Sequence, residues 1–130
     1  PDPAVLATAR AVRERGIALS LDDFGTGYSS LGALHRLPIG EIKLDGSFVQ
    51  DIETSATVRS LACAVLHIAR GLELSVVAEG VETEAQRSFL AEYGCPLHQG
   101  YLYTRPLPPQ ALEAWLADKS PFHSIPSEAR

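Results

Sequence analysis

The sequence predicts an α/β domain built on a parallel sheet, represented by about four strand-helix units. Short apolar runs alternate with stretches whose apolar residues recur at helical spacing, an order that calls for parallel strands joined by right-handed crossovers. Acidic residues recur where predicted strands end: Asp22 and Asp23 after the first, Asp45 with Lys43 on the second, and Glu79 after the third. If the strands curve as in a barrel, those ends share one face, where catalytic residues gather.

Each element has a local reason. Asp2 caps a first helix with Pro3 at its opening position; Val5, Leu6, Ala9 and Val12 share a face, and Gly16 ends it. Residues 17–21 are apolar apart from Ser20 and too few for a helix, so they read as a buried strand. Two neighbouring acids could not both point inward if that strand continued, because side chains alternate faces. Gly25 and Gly27 let the chain turn at once, so that one acid projects from the strand end and the other from the loop. A metal ion gives both a reason to converge, although taken alone the pair reads equally well as a solvated turn.

Ser29 or Ser30 then caps a short helix bearing Leu31, Leu34 and Leu37, stopped by Pro38. A second strand, 41–45, sets Ile42 and Leu44 on one face and Lys43 and Asp45 on the other. Residues 47–52 form a helical turn. A longer helix over 55–70 carries the stripe Val58, Leu61, Ala62, Val65, Ile68, Ala69 and Leu72. The third strand, 74–78, ends at Glu79-Gly80-Val81-Glu82. Thr83 and Gln86 have capping-box spacing for a helix presenting Ala85, Phe89 and Leu90, closed by Gly94. A fourth strand is expected near 99–103, with Gln99 at its start. Pro106, Pro108 and Pro109 lead to a last helix with Leu112, Trp115 and Leu116, and 120–130 reads as an irregular tail.

Composition bounds the function. The 130 residues are 45% hydrophobic and 21% charged, ordinary for one globular unit. A formal net charge of −5 with no Lys/Arg cluster argues against DNA, RNA or an anionic membrane surface as partner. No apolar run is long enough to span a bilayer and Pro1-Asp2-Pro3 does not open a signal peptide, so a cytoplasmic setting is expected. Cys63 and Cys95 lack C-x-x-C spacing and read as buried free thiols. His35, His67, His98 and His123 form no zinc-site pattern. Gly25-x-Gly27-x-x-Ser30 is a poor phosphate loop, since the third glycine is missing and two acids precede it. Phe24 and Tyr28 read as loop packing rather than base-stacking groups.

Four ordered motifs carry a resemblance: Leu21-Asp22-Asp23-Phe24-Gly25-Thr26-Gly27-Tyr28-Ser29-Ser30-Leu31, Lys43-Leu44-Asp45, Val77-Ala78-Glu79-Gly80-Val81-Glu82-Thr83 and Gln99-Gly100-Tyr101. Together they resemble the C-terminal half of the EAL family of bacterial cyclic di-GMP phosphodiesterases, up to about residue 119. The resemblance implies half of a modified (β/α)8 TIM-type barrel that uses two Mg²⁺ or Mn²⁺ ions to hydrolyse cyclic di-GMP to pGpG. Asp22 then resembles the carboxylate shared by the metals, and Asp23 its neighbour at the second metal. Lys43 looks like the lysine that holds the attacking water or a phosphate oxygen. Glu79 resembles the acid serving the second metal and the water, and Gln99 the amide that orients this network. Glu82 looks like a supporting acid, and Asp45 supports the strand end. The chemistry agrees: three carboxylates alone would repel a phosphodiester, and divalent ions with oxygen ligands reverse that local sign.

The chain departs from the family in what it lacks. It has no Glu-Ala-Leu motif, no upstream asparagine strand and no Glu-x-Thr strand, and Gly46 stands where the family often has arginine. A barrel of this type takes about 250 residues. Two open sheet edges would remain, so the chain is expected either to pair with another copy as a homo-oligomer or to join the missing N-terminal half. On its own it is expected to be nearly inactive. A non-catalytic cyclic di-GMP receptor or signalling module, and a structural half-barrel that only assembles, are the alternatives.

Overall fold

The computed structural model describes residues 2–26 and 31–118. Helix α1 (Pro3–Glu14) starts where the Asp2 side chain accepts from the Ala4 amide at 2.9 Å, and Gly16 at φ +79° turns the chain out of it. There follow β1 (Ser20–Phe24), α2 (Leu31–Arg36), β2 (Glu41–Leu44), α3 (Gly46–Gln50), α4 (Ala56–Gly71), β3 (Ser75–Ala78), α5 (Glu84–Glu92), β4 (Leu97–His98) and α6 (Pro109–Ala117). The four strands are all parallel, in the order β1-β2-β3-β4. The α/β class and the four-unit parallel sheet are therefore as the sequence predicts.

Period-two alternation on β2 decides the layering. Ile42 and Leu44 are fully buried, while Lys43 on the opposite face is half-buried opposite Val77 of β3. Val76 and Ala78 join the buried face, which packs with Ala62, Leu66 and Ala69 of α4, Leu90 of α5, and Val49 and Ile52 at α3. Burying each of the larger aliphatic side chains contributes about 1.5–3 kcal/mol before chain entropy is counted. The Ser55 side chain caps α4, and Thr83 with Gln86 forms the expected capping box on α5.

Four details differ from expectation. Strand β1 begins at Ser20 and runs through both acids to Phe24, instead of occupying 17–21. Strand β4 is Leu97–His98, ahead of the predicted 99–103; beyond it Gly100 lies against Val81, whose carbonyl accepts from the Leu102 amide at 3.0 Å, and the chain turns there. Leu61 and Leu72, placed on the apolar stripe of α4, are about half exposed, as is Val5 of α1. Cys95 is buried but Cys63 is only half-buried, and both are free thiols. The capping serines 29 and 30, Tyr28 and the tail beyond residue 118 lie outside the described residues.

Candidate functional site

The two acids of β1 reach the same side of the sheet through a bulge. Leu21 pairs with Ile42 and Phe24 with Leu44, so β1 advances three residues where β2 advances two. The extra residue is accommodated at Asp23, whose φ of +54° is left-handed, a conformation that aspartate tolerates better than most residues. Leu21 and the buried Phe24 thus both pack on the core, with two exposed carboxylates between them. The Asp23 amide donates to Asp22 Oδ1 at 2.9 Å, and the Thr26 hydroxyl donates to the Asp23 carbonyl at 2.9 Å.

Glu79 arrives from the end of β3. Its amide donates to the Leu44 carbonyl at 3.0 Å, which extends the β2–β3 ladder one residue past the assigned strand. Its carboxylate meets Lys43 Nζ at 2.8 Å. Asp22, Asp23 and Glu79 each present a carboxylate oxygen within 4.8 Å of the others. The Lys43 ammonium is held charged to higher pH than an ordinary lysine, first by its hydrogen bond to Glu79, then by that carboxylate's charge; burial opposes them, and Asp22 and Glu41 add the smallest contributions.

The remaining predicted residues lie on the loops and helix starts that follow the strands. Gln99 follows β4, and its backbone completes the strand-end ladder: its amide donates to the Ala78 carbonyl at 2.8 Å and its carbonyl accepts from the Val81 amide at 3.0 Å, while the residue is exposed. Asp45 caps α3 by accepting from the Ser47 amide at 2.9 Å and from the Ser47 hydroxyl, bonds that hold its carboxyl below the usual range. Glu82 is exposed on the loop to α5, its amide bonded to Gln86 Oε1 at 2.8 Å. Neither Asp45 nor Glu82 belongs to the convergent group of acids.

Two amides join the site without a sequence motif that marks them for it. Gln50 Nε2 donates to the Gly80 carbonyl at 2.7 Å, and the buried Gln86 bonds to Gln50 as well as capping α5. Capping-box spacing singles out Gln86 in the sequence; nothing there singles out Gln50.

The donor set fits a hard divalent cation. All three groups are carboxylates, the ligands that Mg²⁺ and Mn²⁺ prefer. Oxygens bound to one such ion at about 2.1 Å lie up to about 4.2 Å apart, close to the 4.8 Å within which the three carboxylates each present an oxygen.

Known proteins share this architecture. A family model described as the EAL domain matches residues 2–106. The cyclic di-GMP phosphodiesterase NbdA of Pseudomonas aeruginosa is 54% identical over 105 residues, which are 81% of this chain and 13% of NbdA. The solved PaMucR phosphodiesterase in complex with c-di-GMP superposes with a TM-score of 0.78 at 43% identity, over 84% of this chain and 44% of that one. A manganese/cy-diGMP complex of Klebsiella pneumoniae BlrP1 gives 0.75 at 38% identity, over 80% of this chain and 26% of that one. The chain thus spans less than half the length of each. With its motifs, its sheet and its strand-end acids in this arrangement, the chain belongs to the EAL domain family.

Proposed function

We propose that this chain supplies one side of a metal-dependent site that hydrolyses cyclic di-GMP to pGpG. The observation that carries the reading is the Lys43–Glu79 ion pair set beside the Asp22 and Asp23 carboxylates at the strand ends. Its relatives NbdA and PaMucR, named as phosphodiesterases, support the substrate class.

Asp22, Asp23 and Glu79 are the residues that would hold Mg²⁺ or Mn²⁺. When bound, such ions supply charge neutralisation and Lewis acidity at a phosphodiester. Asp22 and Asp23 fix the position of that positive charge at the sheet's edge. The Lys43 ammonium, donating to Glu79, keeps further N–H donors for a phosphate oxygen or a water. Glu79 accepts from that ammonium and is the carboxylate placed to take a proton from the water. Gln99 follows β4, the strand beside β3, and by its resemblance to the family's motif its amide would orient the same water.

Four strands leave the site open on one side, so the chain alone is expected to turn over slowly at best. We propose that a second copy or a further set of strands closes it. Chromatographic measurement of pGpG formation with Mg²⁺ or Mn²⁺ tests both parts. Brisk turnover by the chain alone contradicts the need for closure. Binding of cyclic di-GMP without turnover in a completed barrel contradicts the hydrolase and favours the receptor. In that completed protein, Glu79→Gln is expected to lower kcat by at least about a hundredfold; an unchanged kcat would mean that Glu79 neither holds the metal nor takes the proton.

A further inference from the structure

We propose that Gln50 and Gln86 form an amide clamp that positions Glu79 in the acidic site. Its functional meaning rests on the metal-binding role proposed for Asp22, Asp23 and Glu79, while its geometry does not.

Glu79 lies at the point where β3 stops and the chain swings through Gly80 at φ +68°. Flanking amides are held by the neighbouring strands: that of Glu79 by Leu44, and that of Val81 by Gln99. The carbonyl between them, on Gly80, points out of the ladder and is taken by Gln50 Nε2 at 2.7 Å. Gln50 Oε1 in turn accepts from Gln86 Nε2 at 3.5 Å, a long contact. Gln86 is 1% exposed, and its Oε1 accepts from the amides of Glu82 at 2.8 Å and Thr83 at 3.1 Å. The two side chains therefore bracket residues 80–83 from both ends. A steric floor completes the grip, since a Cβ on Gly80 would come within 2.9 Å of the Gly46 Cα at the start of α3.

Capping α5 does not account for this arrangement. The capping box uses Gln86 Oε1 and the Thr83 hydroxyl, whereas the arm from Gln86 Nε2 through Gln50 to the Gly80 carbonyl adds nothing to the helix. What that arm fixes is the Gly80–Val81 peptide, one residue beyond Glu79, and through Gly80 the direction in which the carboxylate leaves the strand toward Lys43, Asp22 and Asp23. An amide suits the task, because it donates and accepts without adding charge beside three carboxylates and a lysine.

Gln50 is exposed, so it can be replaced with little risk to folding. Gln50→Glu keeps the shape but removes the donor, while Gln50→Lys keeps a donor. Simple Coulomb attraction predicts that the added negative charge tightens cation binding and that the lysine weakens it; positioning predicts that the glutamate weakens it and that the lysine leaves it nearly unchanged. Mn²⁺ affinity of the purified chain would be read by electron paramagnetic resonance of the free ion, and amide exchange at Glu79 and Val81 by NMR, with urea midpoints as the folding control. Gln50→Glu is expected to weaken Mn²⁺ binding about tenfold, the usual scale for residues that orient a ligand, and to speed exchange at both amides about fivefold. Gln50→Lys is expected to stay within about threefold of the parent in both readings. Exchange that is unchanged in Gln50→Glu overturns the clamp. If the parent chain binds no Mn²⁺, the metal-site reading fails, and the exchange comparison alone decides the clamp.

Discussion

Among the described residues Lys43 is the positive charge paired with the three convergent carboxylates, so its removal has a definite sign. Lys43→Met frees Glu79 and leaves the acids without their counter-charge. Mn²⁺ binding is expected to tighten about threefold to tenfold at low ionic strength, with the gain shrinking at high salt as the exposed groups are screened; titrations at two salt concentrations check this. His98 makes a different residue-scale prediction. Its Nε2 lies 2.6 Å from the Cys95 carbonyl and its Nδ1 2.9 Å from the Tyr103 hydroxyl, which fits a neutral ring donating to the former and accepting from the latter. Burial lowers its proton affinity most; the hydrogen bond to the Cys95 carbonyl opposes it, and the charges of Arg87, which lowers it, and Glu84, which raises it, add less. A base whose affinity is depressed by folding stabilises the fold fully above its unfolded value of about 6.5 and loses that contribution as pH falls through the lower folded value. The Tm of the parent chain is expected to drop between pH 7 and pH 5, and that of His98→Gln to drop less. Of the residues involved, Asp22, Asp23, Lys43, Glu79 and Gln99 are legible in the sequence because they sit in spaced motifs. Gln50 is not, because its importance lies in a carbonyl 30 positions away that only the tertiary contact with α3 identifies.

At the scale of elements, strand interiors and helix caps are legible and strand ends are not. Ile42 and Leu44 announce β2 by alternation, and Thr83 with Gln86 announces the start of α5. The extent of β1 escapes a sequence reading because a bulge is a relation between two strands: nothing within 20–24 records that β2 advances only two residues opposite. The position of β4 escapes it for a similar reason, since Gly100 is required by its approach to Val81 and reads locally as the start of a strand. These contacts make glycine substitutions informative. A Cβ at position 100 would run into the Val81 carbonyl oxygen, whereas at Gly80 the nearest atom is 2.9 Å away and the backbone is also left-handed. Gly80→Ala is expected to cost at least about 1–2 kcal/mol from backbone conformation alone, measured by urea unfolding. Gly100→Ala is expected to disrupt the β3–β4 junction and to cost more, because a Cβ there would meet the amide nitrogen, carbonyl carbon and oxygen of Val81 all closer than the single main-chain atom that obstructs Gly80.

For the whole molecule, the parallel order and the single core are readable from the alternation of elements, whereas closure of the sheet is not. Among the described residues, strand β1 has one paired neighbour, β2, and β4 has one, β3. Near the second edge Leu97 and Tyr101 are 47% and 53% exposed. Unpaired parallel edges with apolar side chains favour association. Sedimentation of the chain over a hundredfold range of concentration, starting near about 1 μM, is expected to show self-association; a monodisperse monomer throughout would remove the second copy from the proposal and leave further strands as the means of closure. Among the described residues no helix is long and apolar enough to cross a membrane.

The bulge in β1 has a consequence for what a shorter chain would be. Deleting Asp23 alone would allow Leu21, Asp22 and Phe24 to face Ile42, Lys43 and Leu44 one for one, which gives a straighter strand, an unbroken ladder and no left-handed residue. Such a deletion variant is expected to unfold at an equal or higher urea concentration while losing Mn²⁺ affinity. The irregular sheet would then be the less stable of two nearby solutions, retained because a perfect one has no room for the second carboxylate.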